Sequence, residues 1–337
     1  MKSTKKIILN SILFIFLIFI TYYIIFKDQN IYQMYKQINS LNLFYIIAAI
    51  IAMILYYLVE AINVKNILAS FKEKISLSKM FRYTLVAFFF SSITPGATGG
   101  QPIEIYYLNK EGIKISNSTM ALLIHVCGYH LSSSILAIIG VILMPSILKN
   151  GIIYIFIFGT LLNTIPVAIT IIGIFFPKLA LKIVNLITKF LKHIKIKNVD
   201  NTIEKINKEL EIYEESAGYI KNNKKIFFKA MIPATIDMIV YYTIPFFVYK
   251  SFGLEGKTII DIIILQAILH GIVCSMPLPG TVGVSETVFL IIYGMIYPSI
   301  AIQSALVVTR FISFYLFVFI CLIVYMITKI KLENQKE

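Results

Sequence analysis

Nine ionisable side chains stand inside apolar stretches of the sequence, where a charge is costly and marks a candidate functional site. Arg310 is the sharpest of them, because it lies about ten residues inside its stretch, too deep to snorkel to the interface. Two interpretations stay open for it: a structural ion pair with a carboxylate, or direct contact with an anionic substrate, most simply a phosphate. The other eight are Glu60, Glu104, His125, His130, Asp237, Asp261, His270 and Glu286.

Two of the carboxylates follow Gly- and Pro-rich runs. Glu286 is expected in the first turn of a short helix, where it caps free N–H groups, pairs with Arg310, or meets a cationic headgroup. Glu104 stands in a similar place after the first run, with the same alternatives. Gln101 and Ser285 add neutral hydrogen-bonding groups nearby, and the N-terminus of a helix is itself a site for anions.

The remaining ionisable residues have weaker functional signals. Asp237 is expected to make a polar contact between helices or to take part in proton coupling. Glu60 is expected at the cytoplasmic interface and Asp261 near the outer surface. His270 is expected to hydrogen-bond a neighbouring helix. His125 and His130 are five residues apart and do not share a helix face, so no metal pair is predicted.

The composition excludes a water-soluble enzyme. Of the 337 residues, 58% are hydrophobic and 14% charged, with a mean hydropathy of +0.83, against about 45–50% and about 25% in a soluble domain. The net charge of +14 is carried mostly by lysine, since only two of 31 cations are arginine, and it indicates anionic lipid rather than nucleic acid as the partner. Metalloprotease, nucleophile-elbow and phosphate-loop motifs are missing, so no catalytic residue, metal or cofactor is predicted.

Six stretches are long enough to span a bilayer, which takes about 20 apolar residues. The fifth is interrupted by Pro233 and Pro245. The stretches are residues 7–26, 43–64, 120–144, 152–176, 230–249 and 300–328.

Two further apolar segments are broken by the same pattern, P-G-x-x-G, at residues 95–99 and 279–283. The first arm, residues 83–93, is half a membrane long at about 16 Å. Broken backbone is tolerated in hydrocarbon only inside protein or along a wet cavity, and paired broken helices point to a transporter site between repeats. The sequence thus predicts re-entrant helix hairpins at 80–108 and 259–297, related as an inverted repeat.

The distribution of basic residues predicts the topology. With both hairpins re-entrant, 25 Lys and Arg fall on one face and five on the other, which satisfies the positive-inside rule. Both termini are then cytoplasmic, and the hairpins enter from opposite sides. Residues 177–229 form a cytoplasmic basic helical linker between two membrane halves. The expected fold is one all-α polytopic membrane domain over residues 1–337.

The two breaks resemble a known family. SSITPGATGGQP at 91–102, and PLPGTVGVSE at 277–286 with Thr309-Arg310 downstream, are similar to the signatures of the lysylphosphatidylglycerol synthase transmembrane (flippase-like) family. The resemblance covers about residues 5–328. The second signature usually has Gly-Gly after its proline, and this chain has Gly280-Thr281.

The resemblance implies a bacterial or archaeal inner-membrane protein that moves lipid between leaflets. Full-length members carry a soluble domain that transfers lysine from lysyl-tRNA to phosphatidylglycerol. Only nine residues follow the last predicted span here, so we expect the membrane unit alone.

Lipid translocation is the predicted function, with aminoacylated phosphatidylglycerol or another anionic or polyprenyl lipid as cargo. Two alternatives stay open: a phosphatidylglycerol lysyltransferase-type enzyme, and a non-catalytic membrane partner of a separate synthase or glycosyltransferase. The expected partners are membrane phospholipid and either a second copy of the chain or a separately encoded lipid-modifying enzyme. The predicted substrate-binding residues are Pro95, Gly96, Gly99, Gly100, Gln101, Glu104, Pro279, Gly280, Gly283, Ser285, Glu286 and Arg310, with Asp237 for proton coupling.

Overall fold

The structure, a computed structural model, describes residues 31–148, 151–176 and 217–333, with Leu179, Lys182 and Leu186 between them. Regular structure in these residues is entirely helical, as predicted. The helices are α1 (Ile31–Asn39), α2 (Leu43–Ser70), α3 (Leu77–Ser92), α4 (Gly100–Lys110), α5 (Ile115–Leu143), α6 (Ile152–Phe175), α7 (Lys224–Tyr242), α8 (Ile244–Ser251), α9 (Ile259–Val273), α10 (Val284–Tyr293), α11 (Ile302–Arg310) and α12 (Leu316–Glu333).

Five membrane spans are present in the described residues, which confirms five of the six predicted. They are Leu43–Ser70, Ile115–Leu143, Ile152–Phe175, Lys224–Ser251 and Ile302–Lys331. The predicted span at 7–26 and most of the predicted basic linker lie outside the described residues.

The fifth predicted span is broken at only one of its two prolines. Pro233 lies inside α7, and the helix continues through it. The break comes at Thr243, where Pro245 opens α8. A proline is tolerated inside a membrane helix when the neighbouring helices supply the lost contacts.

The first broken segment has a longer arm than predicted. Its helix α3 begins at Leu77, six residues before the expected start, with the Ser76 side chain accepting from the Lys79 N–H. Its 16 residues reach about 24 Å rather than about 16 Å. The prediction followed the apolar residues alone, whereas the helix extends into a polar turn. The second arm, α9, has 15 residues and begins with a Thr258–Asp261 capping box. Both arms are shorter than the about 20 residues of a full span.

The two P-G-x-x-G runs begin with the same turn and differ at their last residue, where Gly99 has φ −85° and Gly283 has φ 88°. In each, the residue before the proline has φ −116° and ψ 142°, and a short 3₁₀ turn follows, Pro95–Ala97 or Pro279–Thr281. Gly96 and Gly280 have φ 60° and 56°, and Ala97 and Thr281 follow at 56° and 54°. Thr281 therefore places a β-branched side chain in the left-handed region, where the usual signature has glycine.

Small residues allow the long helices to approach closely. A Cβ on Gly159 of α6 would lie 2.3 Å from the Ile272 carbonyl oxygen of α9, and one on Gly271 would lie 2.5 Å from the Ala137 Cβ of α5. Such close contacts are a main source of helix association in lipid, where burial of apolar surface gives little driving force.

Each broken arm packs against a long helix from the other half of the sequence. The first broken arm, α3, lies against α12, and the second, α9, lies against α5. Helix α2 runs along α7 and α8, and the two 3₁₀ turns touch each other. Two repeated halves would pack in this way. The side from which each broken segment enters the membrane stays a prediction.

The first hairpin is closed at its base by an ion pair. The Lys79 Nζ lies 2.6 Å from Glu111 Oε2, and the Tyr83 hydroxyl donates to Glu111 Oε1. Tyr83 also stacks on Tyr107 of α4, with ring centroids 5.2 Å apart. Partial burial alone would raise the pKa of Glu111, but the hydrogen bonds from Lys79 and Tyr83 outweigh it and hold that pKa below its usual value.

Candidate functional site

Two adjoining cavities lie where the broken segments meet. One, of about 200 Å³, is lined by Arg310 and is called here the arginine cavity. The other, of about 410 Å³, is lined by Glu60 and Glu104 and is called the carboxylate cavity. The first break contributes to both cavities and the second to the arginine cavity. The residues common to the two walls are Tyr56, Phe88, Ser91, Gly96, Ala97, Tyr129 and Cys274.

Arg310 is held in the arginine cavity by three contacts. It ends α11, and its Nε lies 2.7 Å from Glu286 Oε1. Its Nη2 donates to the Gly280 carbonyl at 3.0 Å, and its guanidinium lies 4.7 Å from the centroid of the Phe314 ring. The residue is 9% exposed. Because a guanidinium carries five N–H donors, N–H groups remain that can face the cavity.

Glu286 makes both of the structural contacts expected for it. Its Oε2 accepts from the Gly283 N–H at 2.6 Å and from the Ser285 hydroxyl at 2.9 Å, which caps α10, while Oε1 pairs with Arg310. The residue is completely buried and does not line either cavity. Glu286 therefore positions Arg310 and the start of α10 and offers no free edge to the cavity.

A π-helical turn brings the last span onto the second break. Residues Phe311–Tyr315 form this turn, directly after Arg310. The turn places the Phe314 ring over Gly280, so close that a Cβ there would lie 2.2 Å from Phe314 Cζ. Such turns are frequent at functional sites because they shift the register of the side chains that follow.

Glu104 lines the carboxylate cavity, but its place differs from that of Glu286. It lies two residues further from its motif, in the second turn of α4, and its Oε1 accepts from the Thr84 hydroxyl at 3.2 Å. Capping at the first break is done instead by Thr94, whose Oγ1 accepts from the Gly99 N–H at 2.9 Å. The carboxylate of Glu104 is therefore not used by the helix terminus.

Glu60 was expected at the interface, and that prediction is wrong. The structure places it on the wall of the carboxylate cavity, with its Oε1 3.6 Å from His125 Nε2. His125 Nδ1 lies 3.2 Å from Asn63 Nδ2, which also donates to the Ala230 carbonyl at 3.0 Å. Helix α2 reaches Ser70, six residues beyond the predicted end of the span, and this places Glu60 well inside the helix.

The other two candidate histidines, His130 and His270, bind different partners. His270 joins three helices, as predicted: Tyr129 at Nε2 at 2.9 Å, and Ser133 and Tyr242 at Nδ1 at 3.0 and 2.9 Å. His130 faces Asn163 of α6, 3.4 Å away. Among the described residues, no group of three His, Cys, Asp or Glu is arranged to hold a metal ion.

Asp237 lies in α7 and is completely buried. Its carboxylate oxygens make no well-formed hydrogen bond to other described residues. The contact between helices that was expected for it is thus not found in this part of the chain. Asp237 is not a wall residue of either cavity.

Seven of the twelve predicted substrate-binding residues line the cavities. They are Gly96, Gly100, Gln101, Glu104, Gly280, Ser285 and Arg310. The other five lie behind the walls, in the turns and caps: Pro95, Gly99, Pro279, Gly283 and Glu286.

Helix α2 contributes a part of the site that was not predicted from the sequence. Tyr56, Glu60 and Asn63 are spaced by four and three residues and so share one face of that helix. Polar side chains at this spacing within an apolar span indicate a face turned to the protein interior. That pattern was available in the sequence: Tyr56 and Glu60 line the carboxylate cavity, and Asn63 hydrogen-bonds His125 of the same wall.

The fold and the site define a multi-pass helical membrane protein in which two broken helices meet beside two adjoining cavities with ionisable groups in their walls. The sequence model of the family described as Lysylphosphatidylglycerol synthase TM region matches residues 7–321 of the 337. The chain therefore belongs to this family, as the motifs at the two breaks predicted. A search of curated proteins finds no match to the sequence.

Proposed function

We propose that the protein moves a phospholipid between the leaflets of the membrane. The observation that carries the proposal is a pair of adjoining cavities where the broken helices meet, with an arginine in the wall of one and two carboxylates in the wall of the other. A polar interior of this kind gives a lipid headgroup a path through an apolar bilayer. Membership of the family supports the coarser statement, a membrane domain related to lipid synthesis or flipping.

The two cavities suit the two parts of an aminoacylated headgroup. The phosphate binds the free N–H edge of Arg310, which Glu286 holds in place from behind. The amine binds in the carboxylate cavity, beside Glu104. The acyl tails stay in the bilayer, and rocking of the two halves exposes the headgroup to each side in turn. The favoured cargo is aminoacylated phosphatidylglycerol, with another anionic or a polyprenyl lipid as the alternative cargo.

The proposal places the protein in the bacterial cell membrane, with the basic loops and both termini in the cytoplasm. Its partner is membrane phospholipid, and a separately encoded enzyme supplies the modified lipid. Formation of lysylphosphatidylglycerol by the purified protein from lysyl-tRNA and phosphatidylglycerol would instead indicate a transferase.

The test uses the full chain in vesicles that contain labelled lysylphosphatidylglycerol, labelled phosphatidylglycerol or labelled phosphatidylcholine. Wild type should move the first lipid at least tenfold faster than protein-free vesicles do. Arg310→Gln should lose this activity. Arg82→Gln is the matched control, because Arg82 is the other arginine of the chain and lines neither cavity.

The double variant Glu286→Gln/Arg310→Gln distinguishes a purely structural role of Arg310 from a role in binding the phosphate. Removing both partners leaves no uncompensated buried charge, so a purely structural pair would recover activity in the double variant. If Arg310 binds the phosphate, the double variant stays inactive although it folds. Recovery in the double variant, or equal rates in wild type and empty vesicles, contradicts the proposed site.

A further inference from the structure

The carboxylate cavity holds two acidic groups and neither lysine nor arginine. Glu60 of α2 and Glu104 of α4 both line it, and none of its wall residues is Lys or Arg. Asp237 of α7 is a further buried carboxyl, although it is not a wall residue. The other titratable groups on the same wall are Tyr56, Tyr57, His125, Tyr129, His130 and Cys274. Two neighbouring carboxylates without a cation disfavour each other's ionised form, so the pair must take up a proton or a cation.

The hydrogen bonds of His125 define its tautomer. Asn63 Nδ2 can only donate, and it faces both His125 Nδ1 and the Ala230 carbonyl oxygen. His125 Nδ1 is therefore the acceptor, and the proton of the neutral ring sits on Nε2. The Ala230 carbonyl also fixes the amide, because a turned Asn63 side chain would set its oxygen against that carbonyl.

This tautomer directs an N–H group at Glu60. The Nε2 atom lies 3.6 Å from Glu60 Oε1, so a small movement closes a hydrogen bond that stabilises the ionised carboxylate. An imidazolium would turn a second N–H against the Asn63 amide donor, so His125 stays neutral. The group of this trio that can change charge is therefore Glu60.

We propose that Glu60 is a proton-exchange residue of the carboxylate cavity and that His125 positions its ionised form. One proton from cavity water adds to a Glu60 carboxylate oxygen to give the carboxylic acid, and the same proton returns to water when the residue ionises. Each cycle changes the charge of the cavity by one. The coupling of this cycle to lipid movement rests on the proposed function, whereas the proton site does not.

Infrared difference spectroscopy across a pH titration tests the site without any transport. The full chain is measured in vesicles, and the carboxylic-acid C=O stretch is followed. Glu60→Gln should remove one component of this band, and Glu60→Asp should keep a shifted one. Glu255→Gln is the control, since Glu255 is exposed and lines neither cavity. A band that is unchanged in Glu60→Gln overturns the proposal.

Substitution of the histidine tests the positioning role. In His125→Leu the carboxylate loses its donor, so the Glu60 component should persist to higher pH than in wild type. If His125 had a merely structural role, His125→Leu would lower the thermal stability of the protein, and the pH range in which the Glu60 band titrates would not change. An unmoved titration in a folded His125→Leu protein overturns the assignment.

Lipid movement measured against pH tests the coupling. The wild-type rate should change severalfold across the range in which the Glu60 band titrates, and the rate of Glu60→Gln should be flat there. If wild type moves no lipid, the proposed function fails while the infrared result still decides the proton site. If wild type and Glu60→Gln give the same profile, the coupling is overturned.

Discussion

The buried ion pair between Glu286 and Arg310 should make thermal stability sensitive to the loss of either partner. Glu286 is completely buried and Arg310 is 9% exposed, with Nε and Oε1 2.7 Å apart. Removing one partner of a buried pair leaves an uncompensated charge and costs about 3–5 kcal/mol. At about 2 °C per kcal/mol for a chain of this size, either Glu286→Gln or Arg310→Gln should lower the apparent melting temperature by about 6–10 °C.

The double variant should be destabilised less than the sum of the single variants. Because the two side chains are in direct contact, we expect a coupling of about 1–3 kcal/mol. The assay is thermal unfolding of the purified protein in detergent, with Arg82→Gln as the control that should shift little. Additive shifts in the double variant would refute the reasoning, since they would mean that the two charges do not depend on each other.

Four further outcomes are expected. Gly280→Ala should lower the free energy of unfolding by about 1–3 kcal/mol, because the φ of 56° disfavours a side chain and the new Cβ would lie 2.2 Å from the Phe314 ring. Adding Phe314→Leu should partly restore the stability. Thermal unfolding of the single and double variants checks this. Thr281→Gly should raise the melting temperature by about 1–2 °C, because a β-branched side chain is disfavoured at the φ of 54° that this position adopts. A lower melting temperature would show instead that the threonine stabilises the turn. The hydrogen bonds that lower the pKa of Glu111 stabilise the fold at pH values above the ordinary carboxyl pKa of about 4.3. This stabilisation is lost when Glu111 binds a proton in acid. The difference in melting temperature between wild type and Glu111→Gln should therefore close as the pH falls below about 4. A hydrophilic thiol reagent should label Cys274, which lines both cavities, and leave the other two cysteines, which are buried, unlabelled; mass spectrometry of the labelled protein gives the result.

The amino-acid sequence was sufficient to predict the class of protein, most of the spans and the two breaks. Long apolar stretches have few stable forms in a bilayer, since every backbone polar group must be satisfied within a helix. Pro followed by Gly at 95–99 and 279–283 ends those helices, because proline removes a donor and glycine favours left-handed backbone, whereas a single proline such as Pro233 does not. These are local effects, and they were predicted from local patterns.

The tertiary structure decided which charged residues meet. Two carboxylates that follow similar motifs have different roles, because Glu286 is used as a cap and ion-pair partner while Glu104 turns to a cavity wall. Glu60 was predicted at the cytoplasmic interface and lies beside His125, 65 residues further along the chain. Such pairings depend on how helices distant in sequence are placed against one another, and the periodicity of a single helix contains no information about its neighbours.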